Sequence, residues 1–355
     1  MKLELRRVTV RTPRAQDARR SWPERETLLV RLTDEDGNSG LGEASPLPGY
    51  SRDQLDQVEA AIGKLEVQQV VAALGQETRS GVLDALTALA ALVSIDLPSG
   101  RMALETAGLD LLARRRRKSA PELLGTNGSA RPLAQLLGPA SAASLLSDAE
   151  AAVRAGFGHF KLKLGAPGLL DAELAGVRAL RERYGKAITL RLDANGSLSA
   201  NDVTRAWQSL ASLDVEWFEE PGQLPDELLG ALPLALDESL QGLDESAVQA
   251  RARQLQARCL VLKPMALGGL SHCWQLAALA RSLGLPIVLS HIFDGPWAWR
   301  AAAALALALP GGSAHGLAPH AGLDAWQLAP APVIQGSLQP WTEPGLGLPM
   351  ELRQP

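Results

Sequence analysis

Ionisable side chains end five successive apolar segments in the second half of this 355-residue chain. They are Lys161, Lys163, Asp193, Glu219, Asp237 and Lys263. Residues two apart on a strand face the same side, so Lys161 and Lys163 point together, as do Arg191 and Asp193. Because a dry interior cannot hold isolated charges, these groups must pair with one another or bind a metal ion.

Three carboxylates on adjacent strands indicate a magnesium site. Asp193, Glu219 and Asp237 supply hard oxygen ligands and leave open positions, which suits Mg²⁺, with Mn²⁺ as an acceptable substitute. The five histidines show no HExxH motif or paired spacing, so the sequence argues against zinc.

The lysines predict proton abstraction beside a carboxylate. A metal held by three acids can bind a substrate carboxylate and neutralise the charge that develops when the neighbouring carbon loses its proton. The base must be a neutral amine near pH 7, and a nearby cation lowers the pKa of a lysine. Lys161, Lys163 and the metal supply that neighbourhood. Lys263, from the opposite side, can act as a second base or as a cation that stabilises the enediolate.

Taken singly, each residue has an ordinary structural explanation. An acid at a strand end is more often a helix cap, and a lone KxK motif is usually a solvated edge. Six ionisable groups at the ends of five consecutive strands would, however, be hard to bury without a function.

The elements that position these residues alternate between short strands and Ala/Leu-rich helices. Strands are predicted near 132–136 and at 160–164, 188–193, 215–219, 234–237, 259–263, 287–290 and 314–317. Such alternation predicts parallel strands with helical crossovers. About eight units, without a Gly-rich phosphate loop after the first strand, favour a closed β/α barrel over a doubly wound sheet.

A second domain is predicted before the barrel. Residues 1–45 have the pattern of an antiparallel β-meander, and residues 51–124 have helical periodicity. We therefore expect an α+β capping domain over 1–125 and a barrel over 126–320. The Pro/Gly-rich segment 321–355 is expected to return to the cap.

Composition limits the classes of partner. The chain is 46% apolar and has a net charge of −4, which provides no general attraction for nucleic acid. The longest apolar run, 301–309, is shorter than the roughly 20 residues that cross a bilayer, and no secretory signal is evident. Two cysteines fit reduced thiols. We expect a soluble cytoplasmic protein that acts on a small-molecule carboxylate, without a nucleic-acid or membrane partner, as a monomer or homo-oligomer.

Five motifs in order resemble the muconate-lactonising subgroup of the enolase superfamily. They are KLK at 161–163, LRLDAN at 190–195, WFEEP at 217–221, LDES at 236–239 and LKPMALGG at 262–269. The resemblance spans nearly the whole chain and implies a seven-helix variant of the β/α barrel, (β/α)7β, closed by an α+β cap.

The resemblance also implies roles for individual residues. Asp193, Glu219 and Asp237 would bind the metal, Lys163 would be the base, and Lys263 would be its partner across the substrate. Lys161 would tune Lys163 or touch the carboxylate. The groups that orient the ligands or the lysine would be Asn195, Glu220 and Glu238.

Within the subgroup, the segments 40–51, 103–112 and 289–296 are similar to those of the o-succinylbenzoate synthase family. That family implies loss of water from a hydroxycyclohexadiene carboxylate that carries a succinyl arm, on the route to menaquinone or phylloquinone. Arg191 would hold anionic groups of the substrate, and Ser290, Asp294 and Gly295 would border the arm. Asp294 stands where a Glu is expected in the pattern.

Other functions remain open. The segment 11–26, with Arg14, Arg19 and Arg20, suits a basic lid over an anionic substrate, although charged hairpin tips are usually only solvated. A dipeptide epimerase or N-acylamino acid racemase would use the same two lysines on an amino-acid α-carbon. A muconate cycloisomerase and a non-catalytic binding barrel are less favoured, since the cap motif matches the synthases and every acid and lysine is present.

Overall fold

The N-terminal domain begins with a three-stranded antiparallel meander. The computed structural model describes residues 1–12, 20–141, 143–326, 328 and 332–350. The strands, in the order β1-β2-β3, are β1 (Lys2–Arg11), β2 (Glu24–Thr33) and β3 (Ser39–Ala44). Asp34 closes the second turn, because its Oδ1 accepts the Asn38 N–H at 2.8 Å while Gly37 takes a φ of 84°. The predicted meander is therefore observed.

Helices cover one face of this meander. They are α1 (Leu55–Ile62), α2 (Val67–Leu74), α3 (Glu77–Ser80), α4 (Val82–Ala90), α5 (Pro98–Arg115) and α6 (Ala120–Leu123). The long helix α5 is buried along most of its length. It lies directly on β3, where a Cβ added to Gly42 would come within 1.9 Å of the Ala103 carbonyl oxygen, so only glycine permits this approach.

Seven parallel strands form the second domain. In the order found in the sheet they are β5 (Ala134–Leu136), β6 (His159–Lys163), β7 (Thr189–Asp193), β8 (Trp217–Glu219), β9 (Leu234–Leu236), β10 (Cys259–Leu262) and β11 (Ile287–Leu289). A preceding short strand, β4 (Arg131–Pro132), pairs elsewhere. The helices of this domain are α7 (Leu145–Arg154), α8 (Leu170–Tyr184), α9 (Ala200–Leu210), α10 (Glu245–Gln254), α11 (Pro264–Leu267), α12 (Leu270–Ser282), α13 (Pro296–Ala308) and α14 (Ala321–Asp324).

The segment predicted as the eighth strand closes the barrel without forming a regular strand. His315 bridges Leu133, and Gly316 bridges Ser290, both in parallel orientation. The backbone N–H of His315 donates to Pro132 O at 2.9 Å, and that of Gly316 to Leu289 O at 2.8 Å. The fold is thus the modified (β/α)7β barrel with a capping domain that the sequence predicted.

One crossover differs from the predicted rhythm. Between β8 and β9 the chain forms a 3₁₀ turn, Asp226–Leu228, instead of an α-helix. Prolines at 221, 225 and 233 interrupt this segment, and proline disfavours a helix interior. Other 3₁₀ turns cover Gly185–Ala187 and Glu238–Leu240.

The two faces of the barrel strands differ in chemistry. Outward residues such as Phe160, Leu192 and Phe218 are buried beneath the helices. Inward residues on the lower layer, including Trp217 and Val261, form a separate apolar cluster inside the barrel. Inward positions nearest the carboxyl ends carry the charged residues. The period-two alternation of each strand therefore places the charged residues on the inner face, where Arg191 lies in the same layer as Trp217.

The end of the chain contacts both domains. Strands β12 (Val333–Ile334) and β13 (Ser337–Leu338) form a small antiparallel sheet with β4. Further on, the Arg31 Nη2 donates to Met350 O at 2.6 Å and the Arg114 Nη2 to Leu348 O at 2.7 Å. Across the described residues, no helix has the length and apolar character needed to cross a bilayer.

Candidate active site

Strand register brings the predicted acids and lysines to one rim. Lys163 on β6 pairs with Asp193 on β7, which pairs with Glu219 on β8. Asp237 follows β9, and Lys263 follows β10. Side chains from five adjacent strands therefore stand at the same height, at the carboxyl end where barrel enzymes place their active sites.

The three acids form a buried carboxylate cluster. Asp193 is 0% exposed, while Glu219 and Asp237 are each 2% exposed. One carboxylate oxygen from each lies within 4.8 Å of the others. Oxygens that share one Mg²⁺ ion lie up to about 4 Å apart, which is close to this spacing. Buried carboxylates in this arrangement fit a hard divalent cation.

Lysine ammonium groups balance these charges. Lys161 Nζ lies 2.7 Å from Asp193 Oδ2 and 2.5 Å from Glu219 Oε1, and Lys163 Nζ lies 2.5 Å from the same Asp193 oxygen. Although burial opposes it, the charges of Asp193 and Glu219 raise the pKa of Lys161. Burial alone would raise the pKa of Asp193, but the charges of Lys161 and Lys163 lower it below its usual value. A divalent cation would compete with these ammonium groups and favour their neutral form.

A second set of side chains orients Lys163. Its Nζ donates to Asn195 Oδ1 at 2.6 Å, and the Asn195 amide donates to Glu238 Oε1 at 2.6 Å. Asn195 has a φ of 43°, a left-handed conformation that asparagine tolerates, and its N–H donates to Asp193 Oδ1. The structure thus places Asn195 and Glu238 in one hydrogen-bonded chain with Lys163, and their role as orienting groups stays a prediction.

The Glu220 side chain binds the backbone of Asp237, a predicted metal ligand. Its Oε1 accepts the N–H of Asp237 at 2.7 Å, as well as the N–H and hydroxyl of Ser239 at 3.1 and 2.6 Å. The Glu220 residue itself has a φ of 39°. This contact supports the turn that carries Asp237.

Tyr50 from the cap completes the opposite side of the rim. Its hydroxyl donates to Asp237 Oδ1 at 3.1 Å and accepts from Lys263 Nζ at 3.0 Å. Lys263 also forms an ion pair with Asp237. Burial alone would lower the pKa of Lys263, but the charge of the Asp237 carboxylate raises it above its usual value. The cap therefore contacts both a predicted metal ligand and a predicted catalytic lysine.

A cavity of about 120 Å³ opens between the rim and the cap. Lys161, Lys163 and Lys263 line it on the rim side. Strand β5 and inward barrel residues such as Val261 also contribute to the wall. Cap loops and the loops after β11 and after the closing segment supply another part of it, which includes Trp22, Tyr50, Ser290, His291, Phe293, Gly316 and His320. A larger cavity of about 590 Å³, near Phe157 and Trp299, contains none of the predicted ligands or lysines in its wall.

Arg191 and Ser290 line the cavity, each with protein partners. Arg191 donates to Glu216 Oε2 and to Ala314 O, both at 2.6 Å, and lies 4.0 Å from the Trp217 ring centroid. Its Nη2 is buried without a partner within the described part of the chain. Ser290 donates to Gly316 O at 3.2 Å. Anion binding by Arg191 remains a prediction, and Nη2 is the nitrogen that could donate to a substrate anion.

Asp294 and Gly295 lie behind the cavity wall, against the cap. The Gly295 N–H donates to Glu43 Oε1 at 2.6 Å, and Arg25 donates to Ile292 O at 3.0 Å. Asp294 is 1% exposed, and burial, together with the nearby Glu43, raises the pKa of its carboxyl to about 7. These residues hold the wall in place, and neither reaches the cavity surface.

The sequence predicted a basic lid over 11–26, but Arg14 and Arg19, two of the three arginines named for it, lie outside the described residues. Arg20 is described, and its Nη1 donates to the Gly49 carbonyl in the cap loop.

Sequence reasoning missed the aromatic and imidazole part of the cavity. Trp22, His291, Phe293 and His320 come from three separate segments, and none carries a metal-binding or catalytic spacing. Tyr50 lies inside the cap motif at 40–51, and His291 and Phe293 lie inside the motif at 289–296, so these two motifs were the available signals. Its contact with Lys263 depends on the packing of two domains, which no local pattern specifies.

Comparisons with known proteins identify the family of this chain. The protein-family model described as "Enolase C-terminal domain-like" matches residues 144–354. A second family model, described as "Mandelate racemase / muconate lactonizing enzyme, N-terminal domain", matches residues 2–125. The chain belongs to the enolase superfamily. This places the acid cluster and lysines in a family of enzymes.

Individual relatives of this superfamily member differ in their named activities. An o-succinylbenzoate synthase from Desulfotalea psychrophila is 32% identical over 285 residues, which cover 73% of this chain and 77% of that protein. A hydrophobic dipeptide epimerase from Roseobacter litoralis is 27% identical over 334 residues, 91% of each chain. The crystal structure of MenC from Desulfotalea psychrophila matches with a TM-score of 0.76 and 28% identity, covering 96% of this chain and 99% of that one.

Proposed function

We propose that this enolase-superfamily member is an o-succinylbenzoate synthase. It would remove water from a hydroxycyclohexadiene carboxylate that carries a succinyl arm, with Mg²⁺ at Asp193, Glu219 and Asp237. The observation that carries the proposal is the charge of the cavity wall. Within the described residues, Glu219 is the one carboxylate that lines the cavity, alongside Lys161, Lys163, Lys263 and Arg191.

Such a wall favours a substrate without a positive group. A free dipeptide presents an ammonium, which requires an acceptor or a carboxylate in the pocket. Glu219 belongs to the predicted metal ligands and is already paired with Lys161. An arm that ends in a carbonyl or carboxylate meets no such conflict. The 32% identity to an o-succinylbenzoate synthase supports the same choice.

The residues then divide the reaction between them. Mg²⁺, when bound, would supply positive charge for the substrate carboxylate. The neutral amine of Lys163 takes the proton from the adjacent ring carbon, and the ring C–O bond breaks on the same face. The Lys163 ammonium returns that proton to the departing hydroxyl, so that water leaves and the ring becomes aromatic. Lys263, on the other side, remains a cation beside the developing negative charge.

Conversion of this substrate tests the proposal by ultraviolet absorbance. Turnover that requires both Mg²⁺ and Lys163 is the expected result, measured with wild type and Lys163→Ala in the presence and absence of the metal. An enzyme that binds Mg²⁺ yet leaves the substrate unchanged would overturn the synthase assignment.

The second candidate is an epimerase or racemase of amino-acid derivatives. Lysines on opposite sides of one cavity suit proton removal from one face and return to the other. Relatives named as an L-Ala-D/L-Glu epimerase, an L-Lys-D/L-Arg epimerase, a hydrophobic dipeptide epimerase and an N-succinyl-L-Arg/Lys racemase are 24–28% identical to the chain. Deuterium incorporation from solvent at the α-carbon of N-acylamino acids would reveal this activity, and its absence would exclude it.

A further inference from the structure

The cavity wall opposite the metal site contains two histidines in face-to-face contact. His291 follows β11, and His320 follows the closing segment of the barrel. Their ring centroids are 3.8 Å apart with an interplanar angle of 19°. The edge of Phe293 packs against His320, and Trp22 from the cap lies 6.0 Å from Phe293. The pair therefore belongs to a built wall between barrel and cap.

The same backbone contact orients both imidazoles. His291 Nδ1 accepts the N–H of Phe293, and His320 Nδ1 accepts the N–H of Gly322, each at 3.1 Å. Phe293 itself takes a left-handed φ of 59°, which marks a sharp turn directly after this contact. A neutral imidazole whose Nδ1 accepts a hydrogen bond carries its proton on Nε2. Both rings are thus Nε2–H donors.

The two Nε2 atoms differ in their access to the cavity. Nε2 of His320 is buried without a hydrogen-bond partner in the described part of the chain. His291 has no protein partner at Nε2 among the described residues, and its ring lines the cavity with the Nδ1 edge held by the loop. This leaves the Nε2 edge of His291 as a donor for a ligand.

Topology aligns this donor with the side arm of a substrate. The predicted metal ligands stand on β7, on β8 and after β9, while Lys163 and Lys263 flank them on β6 and after β10. A substrate with its carboxylate at the acids and its reacting carbon between the lysines extends toward the remaining arc of the barrel. That arc is formed by the segments that carry Leu136, His291 and Gly316.

We infer that His291 Nε2–H donates a hydrogen bond to an oxygen of the substrate's acyl arm and thereby selects arms that end in a carbonyl or carboxylate. The inference rests on the proposed function and names the residue behind its substrate preference. His320 stacks on the ring and keeps its plane fixed. The neutral state agrees with the surroundings, because burial, His320 and Lys263 lower the pKa of His291. A donor of this kind rejects an ammonium.

Two matched variants and two matched ligands test this inference. His291→Phe removes the donor and keeps a ring for stacking. His320→Phe is the matched control. It loses the same kind of backbone contact at Nδ1, but at a ring whose Nε2 is buried. The ligands are o-succinylbenzoate and 2-pentylbenzoate, whose arm has similar bulk and no oxygen. Calorimetry of the Mg²⁺-loaded proteins gives the dissociation constants.

The expected result is selective. His291→Phe weakens binding of o-succinylbenzoate at least about tenfold and leaves 2-pentylbenzoate within about twofold, because one hydrogen bond is lost. His320→Phe changes both by less than about threefold. Equal losses for both ligands, equal effects of both variants, or no loss in His291→Phe would overturn the inference.

Failure of the proposed function would be visible separately. A wild-type protein without synthase turnover overturns that proposal alone. The same variants are then titrated with N-succinylphenylalanine and the dipeptide Ala-Phe. Wild-type preference for the dipeptide would overturn the role of His291, whereas a selective loss for the succinyl compound in His291→Phe would support it.

Discussion

The barrel rim and the cap contribute to the same cavity through different chemistry. At the rim, Asp193, Glu219 and Asp237 are buried, and each forms an ion pair with a lysine ammonium group. On the cap side, Trp22 and Tyr50 contribute rings and one hydroxyl. The rim therefore holds the groups that can move a proton, while the cap contributes shape and support.

This difference teaches where each property of the enzyme resides. Rim residues project from strands whose hydrogen-bond register fixes their spacing, which suits groups that must meet a metal or a reacting carbon. Cap and loop residues are carried by segments that can vary without disturbing the barrel. Changes at the rim should therefore abolish chemistry in a folded protein, and changes on the cap side should alter stability or efficiency while chemistry persists.

The largest effect is expected at the rim base. Lys163→Ala should lower kcat about 10⁴-fold, because no other group holds the proton-accepting amine at that position. Mg²⁺ affinity and the melting temperature should change little. Lys186→Ala, at an exposed site, serves as the control in the ultraviolet assay. More than a tenth of wild-type activity in Lys163→Ala would contradict the assignment of the base.

The metal ligands should show the next largest effect. Asp237→Asn removes one of three anionic ligands and should weaken Mg²⁺ binding by at least about 100-fold in calorimetry. The exposed Asp226→Asn is the matched control. Unchanged Mg²⁺ affinity in Asp237→Asn would place the ion elsewhere.

A buried acid joins the cap to the barrel and should make stability depend on pH. Glu105 on α5 is 0% exposed and accepts the hydroxyl and N–H of Ser271 at the start of α12. Burial raises its pKa to about 7 in the fold. Since the unfolded value is lower, its contribution is fully present below about pH 4.5 and is lost as the pH rises through 7.

Replacement of this acid should flatten the pH profile. Glu105→Gln should reduce the fall in unfolding free energy between about pH 4.5 and 7 by about 2 kcal/mol. Denaturant unfolding at a series of pH values measures it. An unaltered slope in the variant would show that Glu105 is ionised in the folded protein.

The smallest predicted effect tests the cap's contact with the rim. Tyr50→Phe removes the hydroxyl shared by Asp237 and Lys263 and should lower kcat about tenfold, the effect of one hydrogen bond to charged groups. Tyr184→Phe, the chain's other tyrosine, is the control. A loss as large as that of Lys163→Ala would mean that Tyr50 acts in the chemistry itself.

The sequence alone determined the barrel, its strand order and the charged rim. Strand alternation places Lys161 with Lys163 and Arg191 with Asp193 on the inner face, and parallel strands bring their carboxyl ends to one edge. These are local rules of geometry, which is why the acid cluster could be predicted residue by residue. The irregular closure at His315 and Gly316 departs from those rules, since only backbone bridges form there.

Only the tertiary structure decided which loops face the substrate. Asp294 and Gly295 were expected at the cavity, but Glu43 and Arg25 draw that turn against the cap. Tyr50, His291 and His320 lie far apart in the chain and carry no shared spacing. Their meeting depends on how the cap docks on the barrel, and long-range packing of this kind leaves no periodic trace in the sequence.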